Sequence, residues 1–218
     1  MADSGSHSAQ LGRVSRLEGD DMTRAAILTL GLLLTGFASV QPSYTASAQA
    51  GGTWTTLFDG KSLKGWDVVG DANWEVADGV MQANKGTGFL VTPMAYPDFQ
   101  ITLEFWVTDD ANSGVFIRCS DPKMITAANA YEVNIFDKRP DQSYRTGGIV
   151  DVAKPASIIN TGGKWNTYDI TAKGPKMTVV LNGMKVVDVE DTKHAGGPIA
   201  LQYGAGTVKF RNVRIRKL

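Results

Sequence analysis

Between residues 99 and 107 the chain reads FQITLEFWV, and its apolar and polar positions alternate with a period of two. Phe99, Ile101, Leu103, Phe105 and Val107 fall on one side of an extended segment, and Gln100, Thr102, Glu104 and Trp106 on the other. That period predicts a half-buried β-strand. NSGVFIRCSD (112–121) repeats the pattern, with Val115, Ile117 and Cys119 opposing Phe116 and Arg118. In YEVNIFD (131–137), Tyr131, Val133 and Ile135 oppose Glu132, Asn134 and Phe136. Three apolar runs thus each carry a charge in the middle: Glu104, Arg118 and Glu132.

The later sequence continues in the same way. KMTVVLNGMKVVDVED (176–191) predicts a hairpin, because Asn182-Gly183 suits a type I′ turn in which both central residues need positive φ. GPIALQY and TVKFRNVRIRKL supply the last strands. In the second of these, Val208 and Phe210 share one phase while Val213 and Ile215 share the other, which a bulge near Arg211-Asn212 reconciles. Short alternating runs separated by glycine, proline and asparagine predict an all-β, antiparallel sandwich or barrel. No long helical period, internal repeat or low-complexity linker interrupts them, so one β domain is expected over residues 51–218.

A sandwich buries one face of each sheet. The odd-numbered sets are assigned to that core. If the three strands are neighbours, the other phase gathers Glu104, Trp106, Phe116, Arg118, Glu132, Asn134 and Phe136 on one surface. Rings can stack on sugar faces, while carboxylates, an amide and a guanidinium can bind hydroxyls, and convergent polar groups on an apolar floor make a default site. The plainer alternative is a solvated sheet face with a cross-strand Glu–Arg pair. Exposed aromatic rings favour the site.

Charge narrows the classes. The chain has 22 basic and 22 acidic residues among 218, which offers no basic footprint for nucleic acid and no polybasic membrane patch. One cysteine, Cys119, excludes an intramolecular disulfide and a cysteine-rich zinc site. DDANSG (109–114) lacks the spacing and bidentate glutamate of a calcium loop, and KGTGFLV lacks the helix a phosphate loop needs. His194 is read as a solvated loop residue. No metal or cofactor is expected.

The first fifty residues read differently. From Met22 the chain runs MTRAAILTLGLLLTGFASVQPSYTASAQA. Arg24 begins it, Ala25 to Phe37 is an apolar run too short to span a bilayer, and Ala48-Gln49-Ala50 fits a cleavage site. A secretory signal peptide is expected, with translation starting at Met22 and a periplasmic or secreted product.

WTTLFDGKSLKGW (54–66), NSGVFIR (112–118), YEVNIFD (131–137), WNTYDITAKG (165–174) and GPIALQYGAGTVKFRNVRI (197–215) stand in an order that resembles the 3-keto-disaccharide hydrolase domain family. The resemblance implies a concanavalin-like jelly roll with a cleft on its concave sheet. It implies action on 3-keto-glycosides made by a partner sugar 3-dehydrogenase. Its motifs match Glu104, Arg118, Glu132 and Asp137 as catalytic positions, with Trp106, Phe116, Asn134 and Phe136 beside them for substrate. Because Glu132, Arg118 and Glu104 are expected on the same face of their strands, the roles assigned are Glu132 as base, Arg118 as enolate stabiliser, and Glu104 or Asp137 as acid. Some members carry a histidine after the LQ of the last sheet, where this chain has Tyr203 and Gly204. A non-catalytic carbohydrate-binding module with the same cleft is the alternative. A base with a raised pKa beside a cation separates the two.

Overall fold

The computed structural model describes residues 52–218; the expected signal peptide lies outside them. Thirteen strands follow in order: β1 (Thr55–Thr56), β2 (Asp67–Gly70), β3 (Glu75–Ala77), β4 (Val80–Ala83), β5 (Gly88–Val91), β6 (Phe99–Val107), β7 (Ser113–Ile117), β8 (Tyr131–Ile135), β9 (Trp165–Lys173), β10 (Lys176–Leu181), β11 (Met184–Glu190), β12 (Ala200–Tyr203) and β13 (Val208–Lys217). They form an eight-stranded sheet, ordered β11-β10-β9-β6-β13-β4-β3 with β1 also on β13, and a five-stranded sheet, ordered β2-β5-β12-β7-β8. All these strand pairs are antiparallel. The fold is the expected all-β, jelly-roll type of sandwich.

The core lies between the sheets, where the period-two pattern puts it. Leu103 and Phe105 come from β6, and Ile117 and Val133 from β7 and β8, each with at most 1% of its surface exposed. Asn182 and Gly183 both have positive φ, 52° and 79°, as the β10–β11 turn requires. In β13 the register against β6 shifts between Arg211 and Arg214, and Asn212 has φ 53°. This bulge keeps Phe210 and Val213 both inward.

The alternation also fails just after β7. Arg118 has φ 56°, which turns the chain after β7. Cys119 consequently leaves the inter-sheet core and packs with Phe116, Ile125, Ala130 and Ala200. The 119–130 segment thus forms a small second apolar layer on the outer side of the five-stranded sheet. Burial there pushes the Cys119 thiol up to about 12, which leaves it unreactive.

Candidate functional site

The strand register distributes the predicted site residues over two separate surfaces. β6 pairs with β13 and β9, whereas β7 pairs with β8 and β12. β6 is therefore not a neighbour of β7 or β8, and the expected convergence of all three charges does not occur. Glu104 and Trp106 point outward from the eight-stranded sheet. Glu104 accepts hydrogen bonds from Arg211 Nε at 2.7 Å and Asn212 Nδ2 at 2.6 Å, which makes it one half of a cross-strand pair.

Arg118 is displaced too. It is 1% exposed, and its five N–H donors are all used. Nε and Nη2 donate to Pro97 O at 2.9 and 2.6 Å, Nη1 to Gly174 O and His194 O at 2.8 and 3.2 Å, and Nη2 also to Asp98 Oδ1 at 3.2 Å. The positive φ turns this side chain away from the sheet face and into the loops beside β6, β10 and β12. There it is a brace with no hydrogen left for a substrate oxygen.

Asp137 follows β8 and knots loops together. It accepts from Thr146 Oγ1 at 2.6 Å, Thr161 Oγ1 at 3.0 Å and Gly162 N at 3.2 Å, and lies 3.6 Å from Arg145 Nη2. With its oxygens occupied it is a structural anchor for the long 136–164 connection. Phe136 is half-buried just past β8, and its amide donates to Thr146 Oγ1 at 2.8 Å.

Glu132, Phe116 and Asn134 do share one side, the outer side of the five-stranded sheet, but all three are buried there. Phe116, 2% exposed, is not the open ring that the alternation led us to expect, because the segment after β7 packs over it. Phe116 is directly opposite Glu132, and Gly114 opposite Asn134. Ala200 pairs with Phe116 and Leu201 with Val115, so the next residue, Gln202, stands beside Gly114 on that face. Gln202 in turn pairs with Phe89. One row thus reads Phe89, Gln202, Gly114, Asn134, and the adjacent row Val91, Ala200, Phe116, Glu132.

Gly114 opens this surface. A Cβ there would stand 3.3 Å from both Glu132 Cγ and Phe116 Cε2, so a side chain would crowd the groups that flank it. On either side, the buried oxygens Asn134 Oδ1 and Gln202 Oε1 have no hydrogen-bond partner among the described residues. Unpaired buried acceptors are costly in a native fold and mark a place where a hydroxyl or water belongs. Beside them lies a pocket of about 460 Å³, lined by Phe89, Gln202, Tyr203, Lys123, Met124 and Ile125. The Phe89 and Phe116 rings meet edge to face at 5.3 Å.

Electrostatics single out Glu132. It is 8% exposed, and burial pushes its carboxyl up to about 7; Arg139 opposes this shift and Asp151 adds to it. Both come from the connection after β8. Val150 N donates to Glu132 O at 3.0 Å, which holds the 149–153 turn against the strand. Asp151 sits there exposed, with φ 59°. The arrangement is a proton acceptor half-ionised near neutrality, with a cation and a second carboxylate acting on it. Gln202, Phe89, Arg139 and Asp151 were not singled out as functional in the sequence. Gln202 carried a signal, being the glutamine of the LQ pair, but Arg139 and Asp151 are loop residues with no periodicity.

Residues 53–216 match the family model described as a 3-keto-alpha-glucoside-1,2-lyase-like domain. Two provisionally named glycosyl hydrolases from Parabacteroides distasonis are similar in structure. One has a TM-score of 0.69 at 23% identity, covering 77% of this chain and 94% of that one. The other has a TM-score of 0.66 at 26% identity, covering 76% and 100%. A carbohydrate-binding module, CBM66 of Bacillus subtilis, aligns at TM-score 0.57 and 18% identity over 70% of this chain and 96% of its own, which shows a common fold. No curated protein matches the chain.

Proposed function

Because the chain belongs to the family of 3-keto-alpha-glucoside-1,2-lyase-like domains, we propose that it cleaves the glycosidic bond of 3-keto-glycosides, with Glu132 as the carbon base. The observation that carries this reading is the buried carboxyl of Glu132, poised at about 7 beside the glycine-floored, hydroxyl-seeking surface. A simple binding face has no need of a desolvated base, because an ordinary solvated carboxylate already accepts hydroxyl hydrogens.

The chemistry follows from the ketone. A carbonyl at C3 acidifies the C2–H, since the resulting enolate spreads its charge onto oxygen. Glu132 takes that proton, the C1–O bond breaks, and the leaving oxygen takes a proton as the C1=C2 bond forms. Water then adds to the enone at C1 to give the net hydrolysis product. A base near pKa 7 is well matched to this work at neutral pH. Arg139, the cation that acts on Glu132, takes the place expected of Arg118 in stabilising the enolate. Asp151 is the remaining nearby acid for the leaving group. A sugar 3-dehydrogenase would supply the substrate, and the signal peptide would put both reactions outside the cytoplasm.

The test uses 3-keto-disaccharides and their unoxidised parents, with substrate deuterated at C2 in ordinary water. Cleavage confined to the keto sugars, with label lost from product or a slowed rate, supports the reading. Full retention of the label at an unchanged rate would mean direct displacement at C1, and Glu132 would lose its role as carbon base.

A further inference from the structure

The opposite side of the sandwich carries a second surface that the proposed reaction does not use. β13 presents Lys209, Arg211, Arg214 and Arg216 outward, because the bulge between Arg211 and Arg214 restores the outward phase after Asn212. Across the strand interval these cations extend over about 23 Å, at roughly 3.3 Å per residue. A row crosses them at right angles. Glu75 pairs with Gln82, Gln82 with Lys209, Lys209 with Trp106, and Trp106 with Trp165, through five strands. At about 4.8 Å per strand the row is about 19 Å long.

The rings are beds for the cations. Lys209 Nζ lies 5.1 Å from the centre of the Trp106 ring, and Arg211 3.9 Å from that of Trp165. Arg214 and Arg216 lie 5.4 and 5.0 Å from that of Trp54. A cation held on a ring face has one side already dehydrated and its direction fixed, so an arriving anion displaces less water and orders less side chain. The carboxylates on the flanking strands offset only part of the line's charge. Glu104 pairs with Arg211, while Asp169 and Glu75 keep their charge and accept from the neutral amides of Gln100 and Gln82; Gln100 Oε1 in turn accepts from Arg216 Nε at 2.8 Å. Among the described residues, Lys209, Arg214 and Arg216 have no carboxylate within ion-pair distance.

We infer that this face binds an acidic polysaccharide, one bearing carboxylate or sulfate groups, and holds it on the side of the molecule away from Glu132. Charge complementarity selects the anion. The sugar is selected by the cleft at one end of the row, about 190 Å³ and lined by Asn73, Asn84, Gln82, Glu75 and Lys209, where the Asn73–Asn84 and Gln82–Glu75 pairs form a polar wall and Lys209 has no carboxylate partner among the described residues. Single-stranded nucleic acid fits less well, because it needs open aromatic faces for its bases and these faces are covered by cations. A lipid surface needs protruding aliphatic side chains. The exposed large ones are Val68, Met94, Met124, Ile158 and Met184, none of them on β3, β4, β6, β9 or β13.

The experiment is affinity electrophoresis of the full chain in gels containing sodium polygalacturonate, dextran sulfate or neutral dextran, with oligothymidylate as a competitor. The expected result is retardation by at least one acidic glycan, weakening with added salt, and none by dextran. Retardation by polygalacturonate alone assigns carboxylates, and by dextran sulfate alone assigns sulfates. The double variant Arg214→Gln/Arg216→Gln should lose at least about tenfold in affinity. Its thermal melt should stay within a few degrees of the parent, a shift that reflects the lost Trp54 and Gln100 contacts. Its cleavage of small keto-glycosides should be unchanged, and Lys209→Gln should reproduce a smaller loss. The inference is overturned by no retardation in either acidic gel, by retardation that survives the double variant, or by displacement with oligothymidylate as effective as with glycan. The chemistry at Glu132 can fail its own test without altering any of these outcomes.

Discussion

Glu132 concentrates function and instability in one group. Its folded-state pKa of about 7 lies above the ordinary glutamate value of 4.5, so between those values the folded chain holds a proton that the unfolded chain has lost. The stability contributed by the neutral carboxyl is full below about pH 4.5 and is lost as pH rises through about 7. The difference is on the order of 3 kcal/mol. Glu132→Gln should therefore melt close to the parent at pH 5 and higher than the parent at pH 8, in paired thermal scans. The same variant should lose cleavage, while the parent's kcat/KM should climb through about pH 7 to a plateau. A parent whose rate is flat from pH 5 to 9 would remove Glu132 as the base. Arg118 behaves in the opposite sense. Arg118→Ala strands three carbonyl oxygens and Asp98, and should cost about 3–5 kcal/mol by chemical denaturation. Arg118→Lys should recover only part of that, because three donors cannot replace five.

At the level of strands, the site depends on what one strand omits. β7 carries glycine where a side chain would fill the space between Glu132 and Phe116. Gly114→Ala should leave a folded protein with stability changed by less than about 1 kcal/mol, since its φ is not in the left-handed region. Its KM for keto-glycoside should rise several-fold as the floor closes, which steady-state kinetics would read. Ile117, three residues further along β7 and fully buried on the inner face, gives the contrasting case. Ile117→Ala should cost about 2–5 kcal/mol in a denaturant titration with little change in KM. Positions of opposite phase on one strand thus separate packing from chemistry, because side chains point alternately to opposite sides.

At the scale of the molecule, the two proposals fall on opposite faces of the sandwich, which share only the core between them. The reaction is assigned to the five-stranded sheet and the polymer-binding surface to the eight-stranded sheet. An exported enzyme with this division would hold acidic polymer on one side while the other meets small oxidised sugars. Export itself is tested by the amino terminus. Material recovered outside the cell should begin at Gly51 when sequenced, and a product that begins before it would remove the signal-peptide reading.

The alternation in residues 99–107 and 131–135 was enough to specify β-strands and their buried phase, Asn182-Gly183 the β10–β11 turn, and the change of phase between Phe210 and Val213 the bulge in β13. Period-two patterns and turn residues are local signals, and burial of one face enforces them. Glu132, Phe116 and Asn134 were legible for the same reason, since they lie in regular strands. Which strands are neighbours is not local, and only the tertiary structure decided that β13 and β9, not β7, flank β6. Glu104 and Trp106 therefore face away from Glu132, although all three occupy the outward phase. A single positive φ, at Arg118, was equally hidden, because a change of backbone well leaves no mark in a hydrophobic pattern. It turned a candidate catalytic cation into a buried brace. Asp137 was claimed by four donors in three residues distant in sequence. Arg139 and Asp151 became neighbours of Glu132 only when the connection after β8 folded back along it, a path set by long-range hydrogen bonds that no periodicity encodes.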